Sequence, residues 1–383
     1  MNNNLVVRVV LKGTQFLPHM QWAENMHLSI PNGLASQLGV AEGECVYCQD
    51  LKTIDAQWAS RLRESAAWIT RKPVSSRLPF SYQRVPAQLR SVIARGMGLY
   101  QRQRQNKWGR FPQWPLDLSV DMLTDLAVPR KITDQRLVVL SHDLDSLEGL
   151  RNAVRFFLPL EENVGARSSN YVVPCGWTLD HNCLRAIEDR GHELGVHGYD
   201  HANLTAFLPP EMCRERLYKA KQALSGYQIE GFRAPSLVRT PSLMRSMSNF
   251  FAYDSSIPTS GGLFPQPNNG CATARPFELE GIRVLPLSMP RDGTLRFLGH
   301  TPDAVIELWK KCAANIMASG GIVVLLTHCE ARFSGNDGML SAYESFLKWL
   351  ALQPGCRFAT AKEALKLWDA NNSIRWADNN SGG

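Results

Sequence analysis

No stretch of this 383-residue chain is long and apolar enough to cross a bilayer. The longest core-like apolar runs, residues 137–140 and 322–326, fall far short of the ~20 residues a spanning helix needs. The first residues lack a charged leader. The apolar run Leu5–Leu11 is broken by Arg8 and followed by Lys12, with no small-residue cleavage pattern, so it reads as a strand of a cytoplasmic protein. A disulfide framework is also missing: the nine cysteines are odd in number and irregularly spaced, which suits reduced thiols. One pair, Cys45 and Cys48, has C-x-x-C spacing, but no second pair or histidine pair stands at zinc-finger distance. Two half-buried strand cysteines are the simpler reading. Internal repeats, low-complexity tracts and any nucleic-acid-binding module are absent as well.

What is present is the composition of a globular enzyme, 44% hydrophobic and 20% charged. Two textures divide the chain. Residues 1–130 are punctuated by Pro73, Pro79, Pro86, Pro112 and Pro115, with strand-like pieces at Leu5–Leu11 and Glu44–Cys48 and an extended connector at Phe111–Asp117. This part is also basic. Between Arg61 and Arg110 stand twelve Lys or Arg against one acid, Glu64, which leaves the rest of the +7 chain slightly acidic. Such an excess attracts anions, here the phosphate of a nucleotide- or polyprenyl-linked sugar or a membrane surface contacted peripherally. A solvated face that keeps the protein dissolved explains it equally well. Nucleic acid is not expected as a partner, because charge without a reading module carries little specificity.

Residues 131–383 alternate apolar runs with amphipathic ones. Strands are expected at Leu137–Ser141, Ser168–Val173, Glu193–His197, Gly231–Arg233, Phe250–Asp254, Arg283–Leu287, Ile322–Thr327 and Arg357–Thr360. Helices are expected at Leu147–Phe157, Leu179–Arg190, Glu211–Ala223, Pro302–Ala318, Met339–Ala351 and Ala361–Trp368. This alternation implies a parallel α/β sheet, doubly wound or closed; about eight strands favour a TIM-like (β/α) barrel. In such barrels the site lies at the C-terminal ends of the strands.

Four of these ends carry polar groups: Ser141-His142-Asp143-Leu144-Asp145, His197-Gly198-Tyr199-Asp200-His201, Arg233-Ala234-Pro235-Ser236 and Thr327-His328-Cys329. His197 and His201 are spaced i, i+4, so a turn of helix would bring both rings to one side. Two imidazoles and a carboxylate make a hydrolytic metal site with a position open for water. Alone, H-x-x-x-H is a weak signal; joined to an Asp-x-Asp strand end, it becomes strong.

These residues resemble the motifs of the polysaccharide deacetylases (the NodB-homology domain, carbohydrate esterase family four) over about residues 136 to 372. The Asp143-Leu144-Asp145 spacing is similar to an intracellular variant of the family's first motif. Gly191-His192-Glu193 with His197 and His201 matches the second, and Leu326-Thr327-His328 the fifth. Arg233-Ala234-Pro235-Ser236 matches the third, with Ser236 in place of the usual Tyr. The fourth motif has no clear counterpart, and Asp292 is its nearest candidate. The resemblance implies a distorted NodB-type (β/α) barrel behind a smaller N-terminal α+β region. It implies that Asp145, His197 and His201 bind a divalent metal, zinc first, with cobalt, nickel and manganese able to occupy such a donor set. Asp143 would be the base, held ionised by Arg233, and His328 the acid that protonates the departing amine. Substrate contacts are expected from Ser236, Asp254 and Asp292. The expected reaction removes an N-acetyl group from an amino sugar in a glycan or glycan precursor. An O-acetyl esterase or another amide hydrolase on the same scaffold is the nearest alternative, and a sugar-binding protein without catalysis is a third.

Other polar residues read as structural. His142 should point to the opposite face of its strand from Asp143, and His192 should sit in a tight turn after Gly191. Asp200 reads as a local cap. Asp254 ends a strand and suits a turn cap as well as a substrate contact. Cys329 cannot easily face the same way as its neighbour His328.

Overall fold

The computed structural model describes residues 134–260 and 270–380, segments 74–77 and 85–103, positions 116, 118, 120 and 121, and three N-terminal strands. Those strands form a small sheet in which β1 (Asn4–Val10) lies between β2 (Asn25–Pro31), antiparallel, and β3 (Cys45–Tyr47), parallel. Two of them stand where apolar alternation put them; β2 was not anticipated. Nor was helix α1 (Ala87–Gln103), whose Gly98 faces inward: a Cβ there would fall 1.8 Å from the Phe297 carbonyl oxygen. Its large apolar side chains point outward, reversing the pattern by which a packed helix is recognised. Of the expected connector, residues 111–115 and Asp117 lie outside the described residues, as do the side chains of Cys45 and Cys48, whereas Leu116 is buried in the main core.

The main sheet has the order β11-β4-β5-β6-β7-β8-β10-β9. Its members are β4 (Arg136–Leu144), β5 (Ser169–Val172), β6 (Glu193–His197), β7 (Ile229–Arg233), β8 (Tyr253–Asp254), β9 (Phe277–Leu279), β10 (Ile282–Val284) and β11 (Val323–His328). A further strand, β12 (Cys356–Phe358), also pairs with β4. All neighbours are parallel except the β9–β10 hairpin. The sheet curls until the segment after β10 meets β11, where the Met289 N–H donates to the Val324 carbonyl at 3.1 Å. The fold is thus the expected α/β distorted barrel. Strands Phe250–Asp254 and Arg283–Leu287 are shorter than their apolar runs suggested, because Phe250 and Phe251 finish the turn after a preceding helix and pack on its far side.

Helices line the outside. α2 (Leu147–Asn152) passes through a π-helical turn at Ala153–Phe157 into α3 (Leu158–Glu162). Pro159 has no N–H to give, and the turn widens just ahead of it. There follow α4 (His181–Asp189), α5 (Pro210–Gln222), α6 (Pro241–Met247), α7 (Asp292–Phe297), α8 (Pro302–Ala318), α9 (Asp337–Ala351) and α10 (Ala361–Asn380). Short α6 and α7 were not foreseen; neither is long enough to display a helical period.

β4 explains the apolar run that announced it. Val138 and Leu140 pack outward in the helix-facing core, while Leu137 and Val139 belong to a second cluster with Tyr171, Leu285, Val324 and Leu326. Both faces are buried, so the strand reads as continuous rather than alternating hydrophobicity. Across the sheet, one register layer pairs His328 with Asp143, Asp143 with Tyr171, Tyr171 with Gly195, Gly195 with Gly231, and Gly231 with Tyr253. The glycines make room for the rings. A Cβ on Gly195 would lie 2.7 Å from the Tyr171 ring, and one on Gly231 would lie 2.2 Å from the Tyr253 hydroxyl.

Candidate metal and catalytic site

The donor group of Asp145, His197 and His201 forms where β4 and β6 end. All three are buried, and their ligating atoms lie within 4.8 Å of one another. Both Nε2 atoms face the same carboxylate oxygen, Asp145 Oδ1, at 3.4 Å from His197 and 3.2 Å from His201. The histidines do not converge through a turn of helix as expected. Instead the chain bends after β6, with Gly198 at φ 67° and His201 itself left-handed at φ 61°. Gly198 is required twice over, since a Cβ there would also come within 2.5 Å of Pro235.

The tautomer at His197 follows from its surroundings. Its Nδ1 lies 3.0 Å from the Arg233 carbonyl oxygen, which can only accept, so Nδ1 carries the proton and Nε2 keeps its lone pair for the cluster. Asp145 Oδ1 is buried and accepts no hydrogen bond. A buried carboxylate oxygen without a donor, ringed by two imidazole nitrogens, is costly unless a cation completes it. The residues therefore fit a divalent metal.

Asp143 stands beside this group, its Oδ2 at 3.5 Å from His197 Nε2. Arg233, wholly buried, donates from Nη1 to Asp143 Oδ1 at 2.9 Å. The guanidinium is held on two further sides: Nη2 donates to Ser141 Oγ and Ser255 Oγ, both at 3.0 Å, and Nε to the Ser255 carbonyl at 2.8 Å. Its flat face lies on the Tyr171 ring, 4.0 Å from the centroid. Burial by itself would raise the Asp143 carboxyl, but His197, Arg233 and His328 outweigh it and hold the group below its ordinary value. Asp145 is held well below its own, burial again being overcome, here by His201 and His197.

His328, paired in register with Asp143, reaches the same mouth from β11. Its Nδ1 lies 2.8 Å from Asp292 Oδ1, and its backbone N–H donates to Asp292 Oδ2 at 2.7 Å. Ser334 Oγ donates to the same oxygen at 2.7 Å. Burial opposes charging His328, yet Asp292 prevails and the imidazole is pushed up to about 9. At neutral pH the ring is a cation with its Nε2 proton unclaimed by Asp292.

Three further residues were expected to touch substrate. Ser236 follows β7 in a strained stretch, with consecutive left-handed residues at Ser236 (φ 53°) and Leu237 (φ 56°). Its hydroxyl accepts from Asn203 Nδ2 at 3.2 Å. Asp254 has no exposed surface; its oxygens take the Ser256 N–H at 3.0 Å and the Ser256 hydroxyl at 2.5 Å. Ser256 in turn accepts the Ala234 N–H at 2.8 Å, so Asp254 braces the loop leading to Ser236. Asp292 is shut in beneath His328.

The other polar residues fall where strand alternation placed them. His142 faces the helices, with Nε2 2.6 Å from Glu161 Oε1 and Nδ1 2.8 Å from Thr327 Oγ1. Tyr343 completes that group by donating to Glu161 at 2.7 Å. His192, after left-handed Gly191, accepts the Ser168 N–H at 2.9 Å. Asp200 caps Ala202 and pairs with Arg216. Cys329 is fully buried, facing away from His328. Some residues near the site escaped the sequence reading, among them Tyr171, Ser255, Ser334 and Glu330. Glu330, buried, accepts from Ser146 Oγ at 2.7 Å, its other oxygen unpaired, and burial with Asp145 nearby pushes it up to about 7. No sequence pattern marks it, whereas Ser141 could have been found as the position sharing a strand face with Asp143.

Residues 133–250, which hold every one of these groups from Asp143 to Ser236, match the family model described as polysaccharide deacetylase. Over this segment the chain is similar to that family, and His328 and Asp292 lie beyond it. No curated protein sequence matches the chain. Among solved structures, one described as a polysaccharide deacetylase from Mycobacterium smegmatis is 21% identical and covers 64% of this chain and 93% of its own, with a TM-score of 0.52. An allantoinase is 16% identical, covering 67% and 98%, with a TM-score of 0.52. A structure described as a polysaccharide deacetylase from Pseudomonas aeruginosa PAO1 is 15% identical, covering 67% and 98%, at 0.51. At these identities the likeness is one of fold.

Proposed function

We propose that this chain is a metal-dependent N-deacetylase that hydrolyses the acetamide of an amino sugar within a glycan or glycan precursor. The observation that carries the reading is the convergence, at one barrel mouth, of an Asp–His–His donor set, a carboxylate locked by a buried arginine, and an imidazole locked by a buried carboxylate. A mere sugar-binding protein would have no use for an opposed base and acid.

A divalent metal held by Asp145, His197 and His201 would supply Lewis acidity, acidifying a water and polarising the acetyl carbonyl; zinc suits this donor set best. Asp143 takes the proton from the attacking water. Arg233 keeps that carboxylate charged and aimed, because its Nη2 and Nε are tied to Ser141 and Ser255. His328 gives a proton to the sugar nitrogen as the C–N bond breaks, which an amine leaving group requires. Asp292 holds His328 protonated, and Asp254 braces the Ala234–Ser236 loop, whose backbone N–H groups would serve the developing oxyanion. We assign Asp254 and Asp292 these positioning tasks in place of direct substrate contact, since both are buried. The basic region within residues 1–130, taken as a separate unit from the barrel at 131–383, would receive the phosphate of a nucleotide- or polyprenyl-linked substrate. Free thiols among the described cysteines suit a reducing, cytoplasmic setting.

Elemental analysis of wild type beside His197→Ala, with acetate release followed from N-acetyl and O-acetyl hexosamines, tests the reading. About one metal per wild-type chain, lost in the variant together with N-acetyl cleavage, is the expected result. Cleavage of O-acetyl esters alone would move the chain to the esterases. A wild type that neither retains nor responds to added zinc or cobalt would overturn the catalytic reading.

A further inference from the structure

Helix α1 is built inside out. Its buried position is Gly98, seated against the Phe297 backbone of α7, while Leu89, Val92, Ile93 and Leu99 stand 52%, 67%, 52% and 64% exposed. With Met97, also exposed, they fall within a single arc of the helical wheel between Leu89 and Leu99, a length of about 15 Å. Among the described residues, packing does not cover these side chains. A contiguous apolar stripe facing water is unusual for a folded chain and marks a surface that meets something.

The charge on the same helix limits what that something is. α1 carries Arg90, Arg95 and Arg102 and no acid, and it lies within the Arg61–Arg110 stretch of twelve basic residues against one acid. Two copies of such a helix laid face to face would repel. An apolar crest accompanied by arginines instead suits the interface of an anionic bilayer, where the crest enters the acyl boundary and the guanidinium groups remain at the phosphates. We propose that α1 docks the protein on an anionic phospholipid surface.

Position gives the docking a purpose. α1 packs on α7; Phe297 of α7 meets the Phe333 ring at 6.0 Å, and Phe333 meets the His328 ring at 4.7 Å. The lipid-facing helix therefore stands two aromatic side chains behind the acid of the catalytic mouth. A bilayer held there sets that mouth beside the headgroup plane, where an acetylated sugar on a lipid carrier would be presented. This last step rests on the deacetylase reading; the docking does not, since vesicle binding needs no turnover.

The test is co-sedimentation of the full chain with vesicles of phosphatidylglycerol and, separately, of phosphatidylcholine. The wild type should pellet with the first and not the second, less so at high salt. Ile93→Glu should lower the bound fraction at least about tenfold, since it sets an acid in the apolar crest. Its melting temperature should match wild type, because the side chain is exposed; Leu99→Gln, at another exposed position, serves if Ile93→Glu fails to fold. Absence of sedimentation with anionic vesicles, or equal sedimentation by wild type and variants, would overturn the proposal. So would a wild-type dimer in sedimentation velocity that Ile93→Glu converts to monomer, which would make the face a contact between copies. Loss of acetate release with vesicle binding intact would refute the deacetylase reading alone.

Discussion

Asp143 and Asp145 are two residues apart on one strand end, yet their surroundings set them to different work. Asp145 faces two imidazole nitrogens with an oxygen that accepts no hydrogen bond, whereas Asp143 is engaged by Arg233. Asp143→Asn should therefore retain metal while lowering kcat by about 10²–10⁴-fold, the usual contribution of a positioned base. Metal content and acetate release measured on the same sample check this. His328 leads to a prediction with a definite sign. It must be protonated to act, and Asp292 pushes it up to about 9, so activity should fall as pH rises through that value. Asp292→Asn removes the main cause of the rise, and the alkaline limb of kcat should move down toward the ordinary imidazole range near 6.5. An unmoved limb in the pH–rate profile would separate His328 from the acid role. The strand-end positions of these two residues were legible because the apolar runs that lead into them are local; the proposed roles came from the family resemblance. Asp143 and His328 stand opposite each other on adjacent strands, as their positions at two strand ends implied. Glu330 was not legible, since its burial beside Ser146 depends on how β11 meets the start of α2.

At the scale of elements, the barrel interior depends on where bulk is withheld. Tyr171 supports the Arg233 plane, and Gly195 gives it room. Tyr171→Phe keeps the ring under the guanidinium and should retain most activity. Tyr171→Leu removes the ring and should lower kcat more than it changes KM, a split that steady-state kinetics reads directly. Gly231→Ala would drive a methyl into Tyr253 and should cost about 1–3 kcal/mol, measured by urea titration. The strands β4, β6 and β11 and the helix Pro302–Ala318 follow their sequence patterns closely, since each is long and strongly apolar on its buried side. β8, α6 and α7 did not, because they are two to seven residues long and shaped by contacts with distant segments. The His197–His201 approach belongs to the same class. Spacing suggested a helical turn, but the backbone makes the approach through two left-handed residues.

Over the whole molecule, the site's charges also set the pH range of stability. Asp143, Asp145 and Glu161 sit below their ordinary values because the imidazoles, the arginine and the hydrogen bonds around them outweigh their burial. Their contribution is present above the unfolded carboxylate range and is lost as pH falls through the lower folded values. His328 acts in the opposite sense. Its folded value, about 9, lies above the unfolded one, so its contribution is complete below about pH 6.5 and is lost as pH rises through 9. Urea midpoints across pH should therefore fall at both extremes, and Asp292→Asn should flatten the alkaline fall. Metal should add stability on top of this, about 2.7 kcal/mol at a concentration one hundred times Kd. A melting temperature indifferent to chelator would count against a resident metal. The sequence by itself determined the parallel α/β core, the strand ends that hold Asp143, Asp145, His197, Arg233 and His328, and the outward turn of His142. Hydrophobic runs and two-residue alternation act within a few positions of the chain. Only the tertiary structure decided that Asp292 lies under His328, that Asp254 braces a loop, and that α1 turns its large side chains to the outside. Each of these depends on segments tens to hundreds of residues apart meeting across the barrel, and no local period records such a meeting.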